Sequence, residues 1–229
     1  MALLEEEEKN EETEETEETE KEEEEGSNII FLGNPPGDSP NEPKIRKTML
    51  YGDINEEAAK DIIATMILLA ESAEIQEPKD PEDPDSEMET VVRPFEIILS
   101  TSGGNADDMM SVYDMMRMIR EDVDIETTGI GKVMSAGVLI LAAGTKGKRR
   151  IGKHCRVMIH AVSGGTIGNM HELTNEFKEI KKIQESYIAC LAEETKMTAQ
   201  QIKKYLKQKI NVYLSAEEAV ELGIADTII

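Results

Sequence analysis

From Lys47 onward, short apolar runs alternate with segments whose apolar residues recur every three or four positions. That alternation confines the chain to an α/β architecture. Lys47 to Gly52 reads as a strand, and from Asn55 the residues Ala58, Ile62, Met66 and Leu69 mark a helix. Residues 77–90 are rich in Pro, Asp and Glu and read as a surface insertion. Phe95 to Leu99 is a buried strand, followed by a helix that Asn105 and Asp108 cap and that carries Met109, Val112, Met116 and Ile119 on one face. Ile125 to Ile130 is the next strand, and Met134 to Ala143 an almost wholly apolar helix closed by Gly144. After a basic turn comes the strand Arg156–His160, then a loop with Gly164, Gly165 and Gly168, and a long amphipathic helix to about Glu194. Helices near 198–207 and 215–222 and a strand from Ala225 complete the pattern. The methionines in this stretch read as packing.

The charge is unevenly placed. Of the net −23 (25 basic against 48 acidic residues), residues 1–25 supply −13, from 15 Glu and 2 Lys. Crowded like charges without apolar residues cannot offset chain entropy, so 1–25 reads as a disordered acidic tail. Residues 26–45, with Pro35, Pro36, Pro40 and Pro43, read as a linker in which Ile29 to Leu32 can pack on a neighbouring subunit. The acidic balance repels phosphate, which argues against nucleic acid or an anionic membrane as partner. No apolar run nears the ~20 residues of a membrane span. The start lacks the cationic and apolar regions of a secretion signal. Cys155 and Cys190 have neither metal nor redox spacing and suit a reducing, cytoplasmic setting. No phosphate-binding Gly-x-x-x-x-Gly-Lys-Ser/Thr loop is present, so the chain is not expected to bind ATP itself; no metal cluster appears either, and no cofactor is expected in this chain.

Three places can carry chemistry. Ser135 stands where a strand gives way to an apolar helix, with the small Ala136 and Gly137 beside it. Such a serine most often only caps the helix, and Val133 leaves the Gly-x-Ser-x-Gly elbow half matched. His160 ends an apolar strand where bases commonly project, though a core histidine satisfied by backbone looks the same. Ser102-Gly103-Gly104 joins a buried strand to a helix, where glycine lets main-chain N–H groups face a ligand.

Taken in order, the motifs say more. Ser102-Gly103-Gly104, Met134-Ser135-Ala136-Gly137, Ala142-Ala143-Gly144-x-Lys146-Gly147-Lys148-Arg149, Val157-Met158-Ile159-His160, Gly164-Gly165-x-x-Gly168 and Leu214-Ser215-Ala216 through Ala225-Asp226 follow one another. This series resembles the proteolytic subunit of the ATP-dependent Clp protease, ClpP, across about residues 46–229. The resemblance implies the ClpP/crotonase-like fold, a right-handed spiral of strand–strand–helix units with a projecting handle at about 163–195. It implies seven-membered rings, two of them stacked around a chamber, and unfolded substrates threaded by a AAA+ unfoldase of the ClpX or ClpA kind. By motif Ser135 corresponds to the nucleophile, His160 to the general base, and Gly104 and Ala136 to the oxyanion-hole amides. The third catalytic position falls on Asn211, where most members carry Asp. Ser102 replaces the usual Pro, Ala161-Val162 the usual Gln-Pro, and Ile210 and Val212 the acid–arginine pair associated with ring stacking. Asp226 is a second carboxylate to weigh, although nothing in the sequence puts it beside His160. Other readings are an impaired ring subunit that partners an active paralogue, a crotonase-like acyl-CoA enzyme, and a viral capsid-maturation protease.

Overall fold

A computed structural model describes residues 45–83, 86–207 and 211–229. The acidic tail, most of the linker with Ile29 to Leu32, and Ile210 lie outside the described residues. The central sheet has seven strands. Strand β1 (Lys47–Ile54) pairs with β4 (Phe95–Gly104), β4 with β5 (Ile125–Met134), β5 with β6 (Arg149–Ile151), and β6 with β9 (Thr227–Ile228), all in parallel. The far end of β5 also takes β7 (Arg156–Ile159), and β7 takes β8 (Val212–Leu214) antiparallel.

The helices follow the predicted periodicity with shifted ends. Helix α1 (Glu56–Glu71) starts at Asn55, whose side chain accepts from the Ala58 N–H. Helix α2 (Ala106–Ile119) starts at Asn105, which accepts from Asp107 and Asp108 N–H. Helix α3 (Ala136–Ala142) is buried along its whole length, so it carries no polar face. It is shorter than its apolar run suggests: Met134 belongs to β5, and Ala143 rather than Gly144 is the C-cap. In α4 (Met170–Glu194) the buried residues are Tyr187, Ile188, Leu191 and Glu194. Its first turns leave Met170 and Phe177 exposed. Helices α5 (Ala199–Lys207) and α6 (Ala216–Glu221) close the fold.

Of residues 77–90, Glu77 and Pro78 and Met88 to Thr90 belong to an antiparallel hairpin, β2 (Glu74–Pro78) with β3 (Met88–Val92). The β-branched Thr90, Val91 and Val92 extend the strand character into a stretch whose Pro and acidic content signals a turn. An isolated hairpin is marginal in water, and Arg46 braces the base of this one. Its guanidinium donates to the carbonyls of Pro94, Ser72 and Leu69.

Candidate active site

Parallel strands deliver their C-terminal ends to one edge of a sheet, and ligand sites of α/β folds gather there. Gly103 and Gly104 end β4, Ser135 follows β5, and His160 follows β7. The β4–β5 register jumps from Leu99↔Gly129 to Thr101↔Val133, so β5 carries extra residues and bends. Beyond the bend β5 runs beside β7, with Met134 opposite Met158. Two residues 25 apart in sequence therefore become neighbours, and Ser135 Oγ lies 2.7 Å from His160 Nε2.

The backbone at Ser135 is not that of a helix cap. A capping serine has extended dihedrals and its hydroxyl accepts from the first helical N–H groups. Ser135 has φ 53° and ψ −121°, and its side chain makes no capping hydrogen bond. Among the described residues it alone, glycines apart, has a positive φ. Such a conformation costs about 1–3 kcal/mol and persists only where its surroundings hold it.

Three contacts hold it. The Ser135 N–H donates to the Met158 carbonyl at 2.8 Å. The Tyr187 hydroxyl, from α4, donates to the Ser135 carbonyl at 3.2 Å. Gly103, at φ 100°, lies against the serine itself: a Cβ there would sit 2.5 Å from Ser135 Cβ and 3.1 Å from its Oγ. Burial pushes the Tyr187 phenol far above its ordinary range, so it stays protonated as a donor.

The two proposed oxyanion residues, Gly104 and Ala136, line one cavity with Ser135 and His160. The Gly103 N–H is already committed to Thr101 Oγ1 at 2.9 Å. A Cβ on Gly104 would collide with the Ile54 backbone, so a side chain is excluded there. Ala136 opens α3, where first-turn N–H groups lack intrahelical acceptors. Ser102 accepts a hydrogen bond from Lys132 at 2.6 Å, which ties the ends of β4 and β5 together.

Asn211 is placed differently from its neighbours. The β7–β8 register ends at Ile159↔Val212, and continued by one step it would set Asn211 opposite His160. Asn211 is nevertheless exposed, and no hydrogen bond joins it to the imidazole. Asp226 is committed elsewhere. It pairs with Arg149 at 2.6 Å and accepts from the Gly147 and Arg149 N–H groups. Burial opposes its ionisation, but the hydrogen bonds and charge of Arg149 more than offset that and hold the carboxyl below the usual range.

Tyr187 was not among the residues expected from sequence. Its place on the buried stripe of α4 marks it as core, but the partner of its hydroxyl lies 52 residues away. Among the described residues, no helix is long and apolar enough to cross a membrane, and Cys155 and Cys190 are both free.

Comparison with known proteins adds a lineage. Residues 86–229 match the family model described as Clp protease. The chain is 28% identical over 184 residues to the ATP-dependent Clp protease proteolytic subunit 2 of Gluconobacter oxydans, spanning 80% of this chain and 74% of that protein.

Proposed function

The chain belongs to the Clp protease family, and on that premise we propose that it is a serine endopeptidase, the proteolytic subunit of a chambered protease. It hydrolyses peptide bonds of unfolded proteins that an ATP-driven unfoldase delivers to rings of this subunit. Residues 46–229 form the peptidase domain, with 163–195 as handle. Residues 1–25 are an acidic tail and 26–45 a linker.

The reading rests above all on the 2.7 Å contact between Ser135 Oγ and His160 Nε2, made by a serine whose backbone is not that of a cap. His160 Nε2 takes the hydroxyl proton as Oγ attacks the scissile carbonyl carbon. The oxyanion so formed accepts hydrogen bonds from the Gly104 and Ala136 N–H groups, each worth roughly 3 kcal/mol in acyl transfer. His160 then returns the proton to the departing amine, leaving an acyl-serine. Water, deprotonated by the same imidazole, hydrolyses that ester and regenerates Ser135. Asn211 is the orienting group: its amide oxygen can accept from imidazole Nδ1–H, but it brings no charge to stabilise imidazolium.

A fluorophosphonate probe tests this reading. It should label the native chain on Ser135 and spare Ser135→Ala. The exposed Asn211, without a hydrogen bond to the imidazole among the described residues, favours one second reading, an impaired ring subunit that partners an active paralogue. Absence of label on the native chain, with label on an added active subunit, would support it.

A further inference from the structure

The cavity beside Ser135 and His160 measures about 270 Å³. That is below the roughly 300–1,000 Å³ of clefts that enclose a drug-sized ligand, so it is sized for one long side chain and its peptide group. Its walls have two chemistries. Met109 and Tyr187 are buried, while Ile180 and Ile183 are half-buried, and together they give an apolar floor. Asp107, in the first turn of α2, and Glu176, on the projecting part of α4, are exposed at the rim. No lysine or arginine lines the cavity, and neither rim carboxylate has an ion-pair partner among the described residues. Of the lysines that follow Glu176 on α4, Lys181 and Lys182 pair with Glu185 and Glu179 instead.

An apolar floor under an acidic rim complements one kind of side chain. Lysine and arginine lay a hydrocarbon stem along apolar surface and keep the charged head in water. We infer that this cleft selects a lysine or arginine at the residue whose carbonyl Ser135 attacks, its stem on Met109, Ile180 and Ile183 and its head between Asp107 and Glu176. The inference rests on the serine-peptidase reading and adds the substrate class to it. A leucine would fill the floor but leave both carboxylates unanswered, and a glutamate would be repelled by them. Because Glu176 sits on the handle, selectivity depends on that helix being in place.

Binding to the full chain carrying Ser135→Ala tests the inference without turnover. The probes are fluorescent tetrapeptides that differ only in a C-terminal Lys, Arg, Leu or Glu, read by fluorescence polarisation. Their terminal carboxylate occupies the oxyanion position. Two partly solvated ion pairs should favour Lys and Arg over Leu by about fivefold to tenfold, with Glu weakest. The preference should shrink in 1 M salt, where the Debye length is only about 3 Å. Adding Asp107→Asn and Glu176→Gln should bring the Lys-to-Leu ratio close to one. Leu binding as tightly as Lys, a ratio retained in the double variant, or no measurable binding of any peptide at millimolar concentration would each overturn it. Peptide turnover by the native chain is read separately: its absence counts against the peptidase reading, while the binding ratio still decides the selectivity.

Discussion

Asn211→Asp is the perturbation that asks most of the proposed mechanism. The β7–β8 register ends at Ile159↔Val212; continued by one step it would set residue 211 opposite His160, and paired residues of an antiparallel ladder have Cα atoms roughly 4.5–5.5 Å apart. A carboxylate about 4 Å from a developing imidazolium is worth ~4 kcal/mol at an effective dielectric of 20 and ~1 kcal/mol in bulk water. Asn211 is exposed, so the value lies toward the aqueous end, about 1–2 kcal/mol, or a gain of roughly 5- to 30-fold in the acylation step. This is far less than the ~10⁴ lost when a buried triad Asp becomes Asn, because water already screens this position. Steady-state cleavage of a fluorogenic peptide and the rate of fluorophosphonate labelling measure the same step. Both should rise together in Asn211→Asp, with KM little changed. Unchanged rates would show that residue 211 does not face the imidazole in the working particle. A fall in rate would refute the orienting role outright.

Gly103→Ala should reduce kcat by more than 100-fold while leaving a folded chain by circular dichroism, because its Cβ would sit 2.5 Å from Ser135 Cβ at a φ of 100° and displace a 2.7 Å contact. Tyr187→Phe removes one hydrogen bond to the Ser135 carbonyl and keeps the packing; a bond worth about 1 kcal/mol predicts a roughly fivefold loss of kcat at unchanged KM. Glu194 is buried under Arg120 and Tyr113, paired with Arg120 at 2.7 Å, and Glu194→Ala should cost about 3 kcal/mol in denaturant unfolding. Burial opposes ionisation of Glu194, but the hydrogen bonds and charge of Arg120 hold the carboxyl below the usual range; its stabilisation is therefore present above the unfolded-state pKa and lost as pH falls through the lower folded value, so an acid-unfolding curve should flatten in Glu194→Gln.

The elements were legible where periodicity is local. Asn55 and Asn105 announce their helices, and the cap bonds they make span two or three residues. The family resemblance, resting on ordered motifs, singled out Ser135 and His160. What sequence cannot carry is the conformation at Ser135. Its positive φ follows from Met158, Gly103 and Tyr187, which reach it from 23, 32 and 52 residues away. Locally, Ser before an apolar helix reads as a cap, and Met134 reads as helix because its strand partner Met158 is remote. The hairpin was hidden for a related reason: Pro78 and Pro81 signal breaks, whereas the pairing of Glu74–Pro78 with Met88–Val92 is a matter of register.

The same topology holds the three proposed catalytic positions with different rigidity. The proposed nucleophile and base follow strands that run inside the sheet, between partners on both sides: β5 pairs with β4, β6 and β7, and β7 with β5 and β8. Moving either group means moving several strands. Residue 211 precedes β8, three residues long and paired with β7 alone. A substitution there disturbs no core packing, since the side chain is exposed. Ser135→Ala or His160→Ala should thus abolish acylation, whereas changes at 211 should tune it. Such a division is expected when the reacting pair is built by the fold and the third member is supplied by its margin.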